Sequence, residues 1–385
     1  MSEFNVFLYK VEEILPHTNA DKLEIIPVKG YQCVSGKGNF KVGDLAFYLP
    51  EQSIVPDKII VDLNLQGMLS GSQKNRIKAI KLRGELSQGL LYPLDKAIEA
   101  GYFEPGTVFS VSEIESVNYA LQLQIIKHEP NVPAAFSGVM GSGGLANYLV
   151  NYDFDNIKDH PKWFNEDTNV VFTEKLHGTL CQVVIDVQTG DYVISSKGLA
   201  KKKICLKNTE ENKDNLYISM VKKLGIVDRV VGNPIFSEVS KLAIIGEIFG
   251  NGIQDLNYGV MQPEFRVFDI AVWDGEFTSS RKDIYEGWCY LPDEAHLSSE
   301  LEWSIEEVAL VLQLDLVPIL YSGTFSKEVL KKYTEGKSII SPNQIKEGIV
   351  IKGYSERPSS KRQSRFIVKS INPEYLLRNN GTEYN

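Results

Sequence analysis

Short apolar runs broken by turn signals fill the first hundred residues. Val6-Phe7-Leu8-Tyr9, Leu23-Glu24-Ile25-Ile26-Pro27-Val28 and Leu45-Ala46-Phe47-Tyr48-Leu49 are separated by Lys29-Gly30, Ser35-Gly36-Lys37-Gly38 and Val42-Gly43-Asp44. This spacing predicts an all-β region over about residues 4–115, closed as a small barrel. Residues 116–150 lose the pattern. His128-Glu129-Pro130-Asn131-Val132-Pro133 and the glycines from Gly138 to Gly144 are breakers, so this stretch is expected to be a connector. From residue 151 onward, longer apolar runs alternate with helix-like spacing. Val170-Val171-Phe172 leads a strand into a polar turn, and Cys181 to Val187 with Tyr192 to Ser196 reads as a hairpin. A helical stretch is predicted over about 210–241. Leu242 to Gly246 and Phe265 to Ile270 read as buried strands, and 280–335 as helical, with Tyr285-Glu286-Gly287-Trp288 and Ile305-Glu306-Glu307-Val308 at helix-like spacing. Ile349-Val350-Ile351 and Phe366-Ile367-Val368 are the last strands.

Length and composition narrow the class. A chain of 385 residues is too long for one ordinary core. We expect a domain over 1–115, a linker over 116–150 and a second domain over 151–385. With 43% hydrophobic and 24% charged residues the composition is that of a soluble globular protein. There is no run of 18 apolar residues, and Met1-Ser2-Glu3-Phe4-Asn5 does not begin a secretory signal, so a cytoplasmic protein without a membrane span is expected. Cys33, Cys181, Cys205 and Cys289 are far apart and form no CxxC pair, which argues against a zinc site and for free thiols. The net charge of -9 excludes a chain coated in nucleic acid but leaves room for a local basic groove. Lys74, Arg76, Lys78, Lys81 and Arg83 are either a solvated face or a strip that tracks phosphates, anchored by Ile77, Ile80 and Leu82. Lys201-Lys202-Lys203 carries the same two readings.

The candidate chemistry centres on Glu174-Lys175-Leu176-His177-Gly178. A lysine at a strand end, facing other cations, can act as a covalent nucleophile. Its pKa must then fall from about 10.4 to roughly 7–8, which costs on the order of 4 kcal/mol and requires positive charge or desolvation nearby. Gly178 would let the backbone approach a phosphate. A lysine and a glycine three residues apart say little alone. The order of the downstream segments says more, because successive strands end in Lys175, Glu247, Glu347 with Lys352, and Lys369.

Together these segments resemble the covalent nucleotidyltransferases, which are the ATP-dependent RNA and DNA ligases and the mRNA capping enzymes. Glu174 to Gly178 is similar to motif I, in the Lys-x-His-Gly form typical of RNA ligases. Ser195-Ser196-Lys197-Gly198 resembles motif Ia, Ile245-Gly246-Glu247-Ile248 motif III, and Phe265-Arg266-Val267-Phe268-Asp269-Ile270 motif IIIa. Glu347-Gly348-Ile349-Val350-Ile351-Lys352 resembles motif IV and Phe366-Ile367-Val368-Lys369 motif V. Pro16 to Leu23 and Gly84 to Leu90 resemble parts of the OB barrels of tRNA-binding modules. DNA ligases and capping enzymes carry their OB domain after motif V, whereas here 16 residues follow Lys369 and the barrel comes first. That order resembles a branch of RNA ligases that seal 3′-OH/5′-phosphate breaks.

The resemblance implies an α+β protein: an OB-like β-barrel, then an adenylyltransferase domain of antiparallel sheets flanked by helices, an ATP-grasp-like ligase fold. It implies ATP and Mg²⁺ or Mn²⁺ as cofactors. As partner it implies RNA with 3′-OH and 5′-phosphate ends, in a nicked duplex or a broken tRNA, bound by a monomer. Lys175 would take AMP, Lys352 and Lys369 would neutralise the α-phosphate, and His177 would act after lysine adenylylation. Glu174 would read the adenine amino group, Phe268 would stack on the base, and Gly178 and Lys197 would also bind nucleotide. Glu247 would hold the ribose or a metal water, and Glu347 the metal through water. Two departures stand out: Lys197 replaces the usual arginine of motif Ia, and Ile367 the first lysine of motif V, with Arg365 as the nearest cation that could compensate. The competing readings are a DNA ligase or capping guanylyltransferase, and a non-catalytic RNA-binding protein on the same fold.

Overall fold

A computed structural model describes residues 4–129, 137–237, 239–273, 305–353 and 366–378. The chain forms two compact units, Met1–Glu129 with Asp155–Trp163, and Pro130–Phe154 with Phe164–Asn385.

The first unit is built from short antiparallel strands. Phe7–Lys10, Leu45–Leu49 and Leu90–Pro93 pair in that order. Leu15–Pro16, Leu23–Val28 and Tyr31–Gly36 form a meander, and Ile80–Leu82 makes a hairpin with Glu85–Ser87. The central strand reads as a continuous apolar run because both of its faces are buried. Phe47 and Leu49 enter one core, Ala46 and Tyr48 the other. Two expectations change here. Ile77 is buried as an anchor of the basic stretch, but Ile80 is 44% exposed and does not anchor it. The expected connector also carries paired strands. Ile126–Lys127 pairs with Ser53–Ile54 in this unit, and Met140–Ser142 pairs with Ile204–Leu206 in the other. Elements of two and three residues are too short for a period to show in sequence. Later in the chain, Asp155–Trp163 returns to this unit, where the Tyr31 hydroxyl donates to Asp159 Oδ1 at 3.0 Å and the Lys158 ammonium donates to Gln88.

Two antiparallel sheets make the second unit. The larger runs Met140–Ser142, Ile204–Leu206, Tyr192–Ser196, Thr179–Asp186, Lys241–Phe249, Glu264–Trp273. The smaller runs Ile319–Thr324, Asn169–Lys175, Gly348–Gly353, Ile367–Ile371. Alternation along the long strands sorts two cores. Val183, Ile185, Leu242 and Ile244 pack with Tyr217, Ile218 and Val221 of the helix Leu216–Lys223, and with Val308 of the helix Ile305–Val311. Asn215 caps the first of these helices, its side chain accepting from Tyr217 N at 3.0 Å. On the opposite face Leu180, Val184, Ala243 and Ile245 pack with Ile367 and Val350 of the smaller sheet, so the two sheets face each other across this core.

The strand Ile319–Thr324 lies where helix was expected. It pairs along Asn169–Lys175, while Ile305–Val311 and Lys327–Thr334 on either side are helical. Edge pairing with an already formed strand outweighs a weak local helical spacing. Tyr285 to Trp288, Cys289 and Arg365 lie outside the described residues. Cys33, Cys181 and Cys205 are free and buried.

Candidate active site

Lys175 ends a strand of the smaller sheet, and Thr179 begins a strand of the larger one. Leu176-His177-Gly178 is therefore the crossing between the sheets. Gly178 is required there by close approach: a Cβ would run into the Ile248 carbonyl oxygen and stand 2.9 Å from Glu247 Cγ. Register then places the lysines. Lys175 is opposite Gly348, Val350 opposite Lys369, and Lys352 opposite Ile367. Opposed residues share a face and alternate residues return to it. Lys175, Lys352 and Lys369 thus lie on one face of the smaller sheet, shared with Val350 and Ile367, which pack toward the larger sheet.

Lys175 Nζ is 2.6 Å from Glu347 Oε1, and the lysine side chain keeps 25% of its exposure, so it is both paired and reachable. Glu347 comes from the turn before Gly348, whose φ of +155° and contact with the Ser370 carbonyl leave no room for a side chain. Burial by itself would raise the Glu347 carboxyl, but Lys175 and His177 pull it down to about 2. Glu247 faces the opposite balance. Burial pushes it up to about 7, helped by the Glu347 charge and resisted by Lys175, His177 and Lys197. Lys369 falls to about 8, first through burial and then through repulsion from Lys197 and Lys175. Lys197 Nζ is 3.0 Å from Asp153 Oδ1. Burial would raise Asp153 too, but Lys197 and Lys369 hold its carboxyl below the usual range.

His177 is almost fully buried behind Lys175. Its Nε2 is 2.8 Å from Asp255 Oδ1, and its Nδ1 is 2.9 Å from the Tyr375 hydroxyl and 3.6 Å from Glu347 Oε2. Burial favours the neutral ring, yet hydrogen bonds to the Asp255 and Glu347 carboxylates outweigh it and raise the imidazole pKa.

The remaining expected residues lie around this centre. The Lys352 ammonium donates to the Phe268 carbonyl at 2.6 Å and pairs with Asp269 at 3.2 Å, and Tyr152 donates to the same carboxylate at 2.9 Å. Lys352 is four residues along its strand from Gly348, about 13 Å at the usual rise. Phe268 occupies a β-bulge, where Asp269 faces Ile245 and Val267 faces Gly246. A bulge re-aims a side chain, and the Phe268 ring lies 4.9 Å from that of Tyr152. Glu174 is buried. Its Oε2 accepts from Ile339 N at 2.9 Å and Ser338 lies beside the carboxylate, while among the described residues its Oε1 makes no hydrogen bond of normal geometry. Burial raises its pKa. Ile367 is 6% exposed in the core between the sheets, which is why an apolar residue stands at the motif V position. Lys203 donates to the carbonyls of Asn147 and Leu149 and so holds a turn of the chain.

Sequence reasoning missed Asp153, Asp255, Tyr258, Tyr375 and Arg378. All are single residues on loops or a short terminal helix, far in sequence from the groups they touch. The one available signal was Asn372-Pro373-Glu374, a helix start just after the last motif.

A family model described as RNA ligase matches residues 168–371, just over half of the chain. The chain belongs to the RNA ligase family. An OB-fold domain model matches residues 6–94 of this RNA ligase. No curated protein matches it in sequence. Among solved structures it is similar to a Naegleria gruberi RNA ligase with PPi, at 23% identity and TM-score 0.69, covering 97% of this chain and 98% of that one. A mutant of that ligase with ATP and Mn gives 23% identity, TM-score 0.71 and the same coverage. Another mutant, with AMP and Mn, gives 21%, 0.68 and again 97% and 98%. At these identities the likeness establishes a shared fold, the expected α+β architecture with an OB-fold region ahead of the two antiparallel sheets.

Proposed function

We infer that this RNA ligase uses ATP to join RNA 3′-OH and 5′-phosphate ends, with Lys175 as the covalent nucleophile. The observation that carries the reading is the cluster at the sheet crossing, where Lys175, Glu347, Glu247, His177 and Lys369 lie within one electrostatic neighbourhood. Three transfers make up the reaction. The Lys175 amine, after losing a proton, attacks the α-phosphorus of ATP; an N–P bond forms and pyrophosphate leaves. An oxygen of the RNA 5′-phosphate then displaces lysine, taking AMP. Finally the RNA 3′-OH, giving up its proton, attacks that 5′-phosphate and releases AMP. Each step gathers negative charge at phosphorus, and fixed cations on one sheet face are what such steps need. Lys369 and Lys352 have that placement, and Lys197 adds a third charge as a point cation without an arginine's fork.

Glu174 offers a buried carboxylate oxygen with no partner of normal geometry among the described residues, which matches an amino group such as that of adenine. Phe268 supplies an apolar surface for a base. The neighbouring structures with ATP and Mn support the choice of nucleotide and metal. Among the described residues no three His, Cys, Asp or Glu side chains are grouped to hold a metal directly. Two neighbouring carboxylates, of which Glu347 makes charging Glu247 costly, do fit a hydrated Mg²⁺ or Mn²⁺ held through water. That ion would supply positive charge to the phosphates. The OB-fold unit, with its basic stretch from Lys74 to Arg83, would bind the RNA, in a nicked duplex or a broken tRNA, as a monomer in intracellular RNA repair. Among the described residues no helix is long and apolar enough to cross a membrane.

Incubation with α-labelled ATP and Mg²⁺ or Mn²⁺, followed by denaturing electrophoresis, tests the reading. Wild type should become labelled, Lys175→Ala should not, and α-labelled GTP should replace ATP poorly. The labelled protein should seal a nick with an RNA 3′-OH strand faster than one with a DNA strand. No label with either metal, from folded protein not already adenylylated, would move the assignment to RNA binding without catalysis.

A further inference from the structure

One loop and one short helix supply the groups that contact His177 besides Glu347. The loop follows the strand Lys241–Phe249 and supplies two groups three residues apart. Tyr258 accepts from the His177 backbone N–H at 2.6 Å, and Asp255 meets its ring at 2.8 Å. The helix Pro373–Leu376 supplies Tyr375, with Arg378 just beyond it. Arg378 Nε donates to Asp255 Oδ2 at 2.8 Å and its Nη2 to Oδ1 at 3.3 Å, so both carboxylate oxygens are gripped. The same guanidinium lies 3.6 Å above the Tyr375 ring and donates from Nη1 to the Tyr375 carbonyl at 2.8 Å. The helix is tied to the catalytic strand in turn: Asn372 N donates to the Glu347 carbonyl at 2.9 Å, and its side chain caps Glu374 N at 3.0 Å. A continuous chain of contacts therefore runs Arg378, Asp255, His177, Glu347, Lys175, alternating cation and anion on either side of the imidazole.

We propose that Asp255 and Arg378 are positioning residues for His177, holding its imidazole against the Glu347–Lys175 pair for the steps that come after lysine adenylylation. The proposal rests on the ligase reading above. Asp255 meets both the ring and the Arg378 guanidinium, whose Nη2 also lies 3.4 Å from His177 Nε2. Its carboxylate fixes which way Nε2 points, and Arg378 fixes the carboxylate. An imidazole held on both nitrogens cannot rotate away when the lysine beside it changes from a paired ammonium to a phosphoramidate. Release of Asp255 should therefore leave the first attack nearly intact and impair transfer of AMP to RNA.

Single-turnover kinetics on the full-length protein separate these steps. Lysine labelling by α-labelled ATP is timed for wild type, Asp255→Asn, His177→Ala and the double variant; AMP transfer to a nicked RNA duplex is then timed from the labelled proteins. Asp255→Asn should label within about threefold of wild type and transfer about 10- to 100-fold more slowly, the size of loss known for outer partners of metal-ligating histidines. Adding it to His177→Ala should change transfer by less than about twofold, because residues acting as a unit are not additive. Arg378→Lys keeps the charge without the fork and should cause a smaller loss in the same step; it carries the test if Asp255→Asn does not fold. Wild-type transfer in Asp255→Asn, equal slowing of labelling and transfer, or a full further penalty in the double variant would each overturn the proposal. A wild type that neither labels nor seals would instead remove the ligase reading beneath it.

Discussion

Glu247→Gln should stabilise this protein while impairing it. The carboxyl rises from 4.5 to about 7 on folding, because burial and the nearby Glu347 charge make ionisation costly. Folding therefore takes up a proton between those values. The contribution to stability is complete below about 4.5 and lost as pH rises through about 7. Fully expressed, a rise of that size corresponds to about 3 kcal/mol, and relaxation of the site brings the expected gain to about 2 kcal/mol at pH 8. Glutamine keeps the shape and removes the charge. By the size scaling of unfolding, Tm at pH 8 should then rise by about 4–8 °C. At pH 5 most of the penalty has already been lifted by protonation, and the gain should shrink to about a quarter. Scanning calorimetry of nucleotide- and metal-free protein at both pH values measures this, following the transition of the unit that holds Glu247, since a chain of two units need not melt as one. Lysine labelling by ATP should fall at the same time, the trade expected where a site keeps an unfavourable charge for its chemistry. An equal change in Tm at both pH values, or destabilisation at pH 8, would refute the electrostatic account of this pocket.

Two further substitutions probe the crossing and its cations. Gly178→Ala drives a methyl group into the Ile248 carbonyl, and backbone cannot yield as a flexible side chain can. It should cost about 2 kcal/mol or more and abolish labelling; a variant as stable as wild type would mean that the two strands are not so closely apposed. Lys369, lowered from 10.5 to about 8, is a cation that folding disfavours, so its contribution to stability is present above 10.5 and lost as pH falls through about 8. Lys369→Met should accordingly raise Tm at pH 7 and slow lysine labelling by on the order of 100-fold. An unchanged labelling rate would remove Lys369 from the site.

What could be read from the sequence was whatever has local order. Buried strands announce themselves as apolar runs, which made the charged positions beside them legible; but only Lys175 ends its strand, while Glu347 stands just before one and Glu247 and Lys369, expected at strand ends, lie within theirs. Burial on both faces made Leu45–Leu49 legible for the same reason. The crossing itself was not legible. That Leu176 to Gly178 passes from one sheet to another depends on pairing with strands scores of residues away. Asp255 and Arg378 reach His177 from 78 and 201 residues along the chain, on segments with no period to read. Ile319–Thr324 was misread because edge pairing, not local spacing, decides it. Ile80 was misplaced because its strand leaves both Ile80 and Lys81 exposed, so apolar character there does not mark the buried face.

The excursion of Asp155–Trp163 has a consequence for how this protein can be taken apart. Neither unit is one uninterrupted length of polypeptide. A single cut near residue 130 would carry those residues away with the second fragment, leaving Tyr31 without the Asp159 acceptor and Gln88 without the Lys158 donor. Asp153, which pairs with Lys197, lies only two residues upstream of the stranded segment. The barrel is thus not a detachable cartridge: a chimera that exchanges it for another must also exchange the matching nine residues from deep inside its neighbour's sequence, and a nick or insertion at either end of them would be felt in both halves.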